Sequence, residues 1–401
     1  MNILICSSLP LDKTTAGLNR LMRMQQALGM HGVNSKIVGR QADLGEKWKE
    51  VPLPDGSLAV AYDPSLTCGK GYCNAIRQGA QAADYYRTCL PDLIRKYNVD
   101  GVITYHPQGQ VVSAIMETAV SNGCFVLADM VELFRMDLYY LSNGTNYQQY
   151  LLRKKVLPKI DGIIGISHGW CDWSKQHGIH HVWCPSFGVD RDFRTSPNQT
   201  ADPFVLTVSG AMSSREVPES YLQSLLVCAK RSINVKLRIV GNAGKKWVER
   251  RAMRMIKSNP ELERRVEFTG FLSDADLKST FRNADAFVLL RRDNLESNML
   301  FPTRLPEYMV TGNPVILSEV GCFSRCFKHK EDVFFVHPKN DPNELADAIE
   351  YLSENPEKRF QIGQNGRKKM LDSFSLESLG KRLQQFLQET HARTQLLRSK
   401  Q

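Results

Sequence analysis

The chain alternates short apolar runs with amphipathic helical stripes, and it does so twice, on either side of one polar, turn-rich segment. The first series opens with an apolar run at Asn2–Cys6 and the loop residues Ser7-Ser8-Leu9-Pro10. A helical stripe follows from Ala16 through Leu18, Leu21, Met22, Met24 and Leu28, stops near His31-Gly32, and gives way to a second run at Ser35–Val38. A strand, a loop, a helix and a strand in this order open a doubly wound sheet, whose strands are buried on both faces and therefore read as unbroken apolar runs. Runs at Leu58–Tyr62, Gly101–Tyr105, Phe125–Ala128 and within Val156–Ile166 extend the series, with helices expected over 75–97 and 111–121 and a loop over 67–74. The segment Ser196–Pro203, SPNQTADP, then reads as a linker. A second series starts at Phe204 and continues through Val235–Val240, Val266–Leu272, Ala286–Leu290, Val315–Leu317 and Val333–Val336. Helices are expected at 221–230, 246–257, from Asp274, at 344–353 and at 358–371, and a basic amphipathic helix closes the chain from Leu376. The expected fold is α/β, with two doubly wound Rossmann-like domains over 1–197 and 203–375 that set their ligand edges face to face across a cleft.

With 401 residues there is enough chain for two separate cores. The 42% hydrophobic and 23% charged content is that of an ordinary soluble protein, and no window approaches the roughly 18 uninterrupted apolar residues of a membrane span. MNILICSSLP runs directly into a strand without a basic leader, so a cytoplasmic location is expected. The net charge of +10 comes without aromatic-interleaved basic clusters and does not point to nucleic acid. It suits anionic small substrates and peripheral contact with an anionic membrane, such as the inner face of a plasma membrane. Ten cysteines are too dilute for a disulfide scaffold, and neither Cys68 with Cys73 nor Cys322 with Cys326 has a C-x-x-C spacing. No metal and no cofactor are expected. A G-x-G-x-x-G dinucleotide fingerprint is also missing where Gly17 enters the first helix.

One stretch stands out chemically: Phe301–Ile316, FPTRLPEYMVTGNPVI. Thr303 suits a helix cap, Pro306 fits a first turn, and Gly312 is a left-handed stop before Asn313-Pro314 and a buried run. The helix N-terminus, the Thr303 hydroxyl and the Arg304 guanidinium together suit a diphosphate, and Glu307 suits a ribose diol. A plain surface helix reads the same way. Gly241–Lys246, GNAGKK, follows a strand and opens a helix, so Lys245 either meets phosphate or belongs to a plain loop. In the first half, His106 and Asp129 end strands at the ligand edge, where either could orient an acceptor hydroxyl or accept its proton. The alternative for His106 is a strand-end histidine bonding a loop; a carboxylate like Asp129 after an apolar strand needs a partner. Asp274 and Asp276 follow Ser273 at a helix start, so capping and the helix dipole account for them without a metal.

The pattern P-T-R-L-x-E-Y-M-x-x-G-x-P-V-I resembles a signature of the GT4-type retaining glycosyltransferases, the group 1 family with the GT-B fold. IDGIIGISHGWCDW resembles that family's strand and helix closing the first domain, and VWCPSFGVDRDF its interdomain junction, through Gly188, Val189 and Asp190. RVEFTGFLSDADL is similar to the segment whose backbone lies near the donor base. The resemblance implies a nucleotide-diphosphate-sugar donor bound by Glu307 at its ribose, and a glycan, lipid-linked or protein acceptor approaching Gly17 and His106. It implies that the last helix, 376–401, crosses back onto the first domain.

LTVSGAMSSR aligns with the family stretch whose arginine and lysine bind diphosphate. Gly210 stands at the arginine position and Arg215 at the lysine position, so Arg215 keeps a cation and a catalytic role in leaving-group stabilisation. The family's E-x7-E element is half present: Glu307 matches the second glutamate, while Met299 occupies the first, with Glu296 nearby as a substitute. Pro302-Thr303-Arg304-Leu305 fits the branch with P-S/T-K-L. The function implied is transfer of a sugar to an acceptor hydroxyl with retention, in polysaccharide or glycoconjugate synthesis. An epimerase or phosphorylase of the same fold, or an inactive partner subunit, remains the alternative, the last because of Gly210 and Met299.

Overall fold

The computed structural model describes residues 1–13, 15–41, 44, 46–63, 72–132, 144–190, 202–210, 216–241, 247–339 and 341–399. The chain forms two compact units, Met1–Phe187 with Leu376–Gln401, and Gly188–Ser375. Among the described residues no helix is long and apolar enough to cross a membrane. Eight of the cysteines are buried and unbridged.

Unit 1 contains β1 (Asn2–Pro10), α1 (Ala16–Met30), β2 (Asn34–Arg40), β3 (Trp48–Pro52), β4 (Leu58–Tyr62), α2 (Tyr72–Tyr97), β5 (Gly101–Tyr105), α3 (Gly109–Ser121), β6 (Phe125–Met130), α4 (Gly144–Leu151), β7 (Gly162–Gly165), α5 (His168–Gln176) and β8 (His181–Trp183). The sheet order is β3-β4-β2-β1-β5-β6-β7-β8, parallel throughout except for β3, which runs antiparallel to β4. The chain builds outward from β1 to one side and returns at β5 on the other, so the switch point lies between the carboxyl ends of β1 and β5. The α1 stripe is buried as its period requires, with Leu18, Leu21, Met24 and Leu28 fully covered. Thr15 caps this helix by accepting a hydrogen bond from the Leu18 amide at 3.1 Å.

Several elements depart from the sequence-based expectation. Strand β3 has no apolar run to announce it: WKEVP lies at the sheet edge and is half-exposed, joined to β4 by a turn in which Gly56 takes φ +81°. Helix α2 begins at Tyr72, so Tyr72–Asn74 are helical rather than loop, while Thr67–Gly71 lie outside the described residues. Strand β6 runs on to Met130, which places Asp129 inside the sheet, paired in register with Ile164.

Unit 2 contains β9 (Phe204–Ser209), α6 (Pro218–Lys230), β10 (Val235–Val240), α7 (Trp247–Lys257), α8 (Pro260–Arg265), β11 (Val266–Gly270), α9 (Asp274–Arg282), β12 (Ala286–Leu289), α10 (Leu295–Asn298), α11 (Arg304–Met309), β13 (Val315–Ser318), α12 (Phe323–Cys326), β14 (Phe334–Val336), α13 (Pro342–Glu354) and α14 (Pro356–Phe374). Its sheet is wholly parallel, in the order β11-β10-β9-β12-β13-β14, with the switch point between β9 and β12. Ser273 caps α9 by accepting from the Asp276 amide, which leaves Asp274 and Asp276 as first-turn acids on a helix dipole. Most of the linker Ser196–Pro203 lies outside the described residues.

The chain returns to unit 1 through α15 (Leu376–Arg398), which buries Leu379, Leu383, Phe386 and Leu387 in the core that α1 also lines. The two helices approach closely because Gly380 has no side chain: a Cβ there would collide with the backbone carbonyl oxygen of Ala27. Backbone cannot move aside as a side-chain tip can. Gly380→Ala is therefore expected to destabilise unit 1 by about 1–3 kcal/mol in a denaturant titration, despite alanine's better helix propensity. A stabilised variant would show that the helices can separate at no cost.

Candidate functional site

The switch point of the unit 2 sheet gathers the chemistry. Strand β9 ends at Ser209, and Gly210 follows in the left-handed region with φ +90°. Its amide still donates to Val240 at the end of β10, at 2.9 Å. Helix α11 grips this strand end by both backbone groups of Ser209. The Ser209 amide donates to the Tyr308 hydroxyl at 2.7 Å, and the Ser209 carbonyl accepts from Arg304 Nη1. Tyr308 is buried and stacks on Phe287 of β12, with ring centroids 4.3 Å apart.

Arg304 also donates from Nη2 to Oε1 of Glu216. The Glu216 side chain is 0% exposed and that of Arg304 20%, so the carboxylate backs the guanidinium rather than facing solvent. Among the described residues, Glu216 Oε2 is buried with no partner. Burial alone would lower the Arg304 pKa; Tyr308 and Glu216 outweigh it, so the guanidinium is held well above its ordinary value and stays charged. Glu216 is itself pinned by a backbone bridge to Arg291, whose amide donates to Ser318 Oγ at 2.9 Å. Sequence reasoning missed Glu216, because its partner lies 88 positions away.

Gly210 and Arg304 meet in space. A Cβ built on Gly210 would stand 3.2 Å from Arg304 Nη1 and 3.3 Å from its Cζ. The guanidinium thus occupies the room a side chain at 210 would need. Thr303 precedes α11 but does not cap it through its side chain: it already has helical angles, φ −63° and ψ −24°, and makes no side-chain capping bond. It is exposed, and Glu307, one turn on, is half-buried. Glu296 lies half-buried in the first turn of α10, which Asn294 caps by accepting from Ser297 at 2.8 Å. Met299 is 7% exposed and packed inward. Arg215 and Lys245 lie outside the described residues. Beside Val217 opens a cavity of about 600 Å³ whose lining mixes Arg251, Arg292, His337 and Lys339 with Glu219 and Asp293.

In unit 1, the carboxyl end of β5 carries His106, which is 6% exposed. Its Nε2 lies 3.2 Å from the Tyr86 hydroxyl, and that hydroxyl donates to the Ser7 carbonyl at 3.0 Å. Nδ1 is buried without a partner among the described residues. Burial pushes the His106 pKa down to about 3, so the imidazole is neutral at physiological pH and suited to orienting a hydroxyl rather than holding a proton. Gly17 sits in the first turn of α1, where a Cβ would stand 3.1 Å from the Tyr105 hydroxyl and 3.0 Å from Leu9 Cδ1.

Asp129 has the partner that a buried carboxylate requires. Arg20 Nε donates to Oδ2 at 2.8 Å and Nη2 to Oδ1 at 2.7 Å, a two-pronged pair in which the Arg20 side chain is 3% and the Asp129 side chain 0% exposed. Two further Arg20 donors reach the carbonyls of Cys184 and Pro185 at 2.9 and 3.1 Å. Asp129 thereby ties α1 and β6 to the chain beyond β8, and a proton-transfer role would require this pair to open.

The neutral His106 has a consequence for acid stability. Its folded pKa lies below the unfolded value of 6.5, so the unfolded chain binds the proton first. Stability associated with His106 is present above pH 6.5 and is lost as pH falls toward about 3. His106→Gln is expected to flatten the acid limb of a stability–pH curve through that window, by up to ~1.4 kcal/mol per pH unit. An unchanged limb would count against a buried neutral imidazole.

Residues 189–369 match the family described as Glycosyl transferases group 1. An uncharacterised glycosyltransferase of Methanocaldococcus jannaschii is 27% identical over 119 residues, 29% of this chain and 28% of the relative's length. Among solved structures, sucrose-phosphate synthase from Thermosynechococcus elongatus superposes with a TM-score of 0.70 at 16% identity, over 98% of this chain and 100% of that one. Anabaena HepE in complex with UDP-glucose gives a TM-score of 0.68 at 15% identity, over 97% and 100%. These likenesses show the GT-B type of fold, two Rossmann-like units. The match to the group 1 glycosyl transferases spans the second unit almost end to end.

Proposed function

We propose that the protein transfers a sugar from a nucleoside-diphosphate sugar to an acceptor hydroxyl with retention, in the synthesis of a polysaccharide or glycoconjugate. The observation that carries this reading is the charged Arg304 guanidinium, fixed over Gly210 at the switch point of the unit 2 sheet. Ligands of open α/β sheets bind outside the carboxyl ends of the strands at that point. The family match and the UDP-glucose complex of HepE support a nucleotide-sugar donor. In such a transfer, negative charge develops on the departing diphosphate, and fixed donors aimed at it supply most of the catalysis. Arg304 is assigned there, together with Arg215 and Lys245; Glu307 is assigned to the ribose, and Thr303 and Glu296 to the rest of the donor. His106 and Gly17 are assigned to the acceptor side, with His106 orienting the acceptor, which would be a glycan, a lipid-linked sugar or a protein hydroxyl. The chemistry as proposed needs no metal.

A second reading, an inactive partner subunit, draws on Met299, which is buried where a sugar-facing carboxylate would stand. Thermal-shift screening against UDP-, GDP-, ADP- and CMP-sugars, followed by product analysis with EDTA present, separates the two. Stabilisation by one nucleotide family with metal-independent turnover supports transfer. Stabilisation without turnover on any acceptor favours the partner subunit, and no stabilisation at all removes the donor reading.

A further inference from the structure

We propose that Glu216 is a positioning residue of the donor site, holding the Arg304 guanidinium in the space that Gly210 leaves open. This rests on reading Arg304 as a diphosphate contact. The exposures of the pair are unequal: Glu216 is fully enclosed and Arg304 keeps one side open. With Oε1 engaged by Arg304 and Oε2 walled in, Glu216 does not reach a ligand itself and acts through the arginine. Two acceptors, the Ser209 carbonyl and the Glu216 carboxylate, take one N–H from each terminal nitrogen. A guanidinium has five N–H donors, so these two acceptors leave three unused, on a side chain that keeps 20% of its surface exposed. A fixed plane loses less conformational freedom on binding, which is where a positioning residue acts.

The backbone supports the same arrangement. Glu216 is bridged to Arg291 at the end of β12 and stands two residues before Pro218, the first residue of α6. The carboxylate therefore projects from a segment anchored at both ends. On the opposite side, Gly210 at φ +90° leaves the volume that Nη1 and Cζ fill. A cation absent from position 210 is in this way delivered from α11, and Glu216 is what keeps it there. The plainer reading is an internal ion pair that contributes only to folding.

The two readings differ in what they do to a diphosphate compared with its nucleoside. Titration calorimetry of the full chain would use UDP, GDP and ADP alongside uridine, guanosine and adenosine. In Glu216→Ala the diphosphate affinity is expected to fall roughly tenfold, with nucleoside affinity changed less than about twofold. Glu216→Gln keeps an oxygen able to accept from Nη2 and is expected to restore diphosphate binding to within about threefold of wild type. In an Arg304→Ala background, Glu216→Ala should cost nothing further, because its effect runs through the arginine. Should Glu216→Ala not fold, Gly210→Ala perturbs Arg304 from the other side: its methyl would press on Nη1, and the same selective loss for diphosphates is expected.

Wild-type diphosphate affinity in Glu216→Ala or Gly210→Ala, or an equal loss for nucleosides, overturns the proposal. If Arg304→Ala weakens diphosphate binding while Glu216→Ala does not, only the positioning role falls. If the wild type binds none of the three diphosphates, or Arg304→Ala binds them as the wild type does, the donor-site reading falls and takes this proposal with it.

Discussion

Replacing Asp129 with alanine should lower the unfolding free energy of unit 1 by about 3–5 kcal/mol, the range seen when one partner of a buried ion pair is removed. Arg20 would remain 3% exposed and charged, with two of its four hydrogen bonds gone. In the wild type burial pulls the Arg20 pKa down and Asp129 pulls it up more strongly; without Asp129 the guanidinium still does not escape by losing its proton, because arginine is too basic to deprotonate in a protein. Asp129→Asn should cost less, since its oxygen still accepts one bond, although its amide then faces a cation. The measurement is a denaturant titration followed by a probe in unit 1, because two units need not unfold together. A loss below about 1 kcal/mol would mean the pair is hydrated or replaceable.

Arg304→Ala should weaken a bound nucleoside diphosphate by roughly tenfold to a hundredfold, as expected for a charge-assisted hydrogen bond to phosphate. It should also destabilise unit 2, because Glu216 would be left fully buried and unpaired. The two effects are separable: calorimetry on the folded protein reports the first and chemical denaturation the second. Arg304→Lys keeps the charge but cannot reach the Ser209 carbonyl and Glu216 as one rigid fork, so an intermediate loss is expected. Unchanged affinity in Arg304→Ala would overturn the reading of this strand end as the donor site.

Strands such as β12 and β13 were legible because burial on both faces leaves unbroken apolar runs, and those runs in alternation with helical stripes carried the doubly wound pattern. Edge strand β3 was not, since solvent on one side permits WKEVP. At the candidate site, α11 was readable from Pro306, Gly312 and the apolar run beyond them. The role of Thr303 was misread, because a threonine before a helix looks the same whether its own backbone is extended or already helical. Arg304 could be chosen from its surroundings in sequence, but Glu216 could not: a glutamate beside a helix start has ordinary reasons to be there. Nor does a sequence reveal that Gly210 and Arg304 share one volume, which only the folded strand end displays. Asp129 needed a partner on general grounds, and Arg20 lies 109 positions away on an unremarkable helix stripe.

Because α15 completes unit 1 only after all of Gly188–Ser375 has been made, unit 2 is an insertion within unit 1. On the ribosome, α1 waits with part of its apolar face uncovered while the inserted unit emerges, on the order of ten seconds or more at typical synthesis rates. Unit 2 has no such dependence and can close first, reversing the usual order in which amino-terminal domains fold ahead of those that follow.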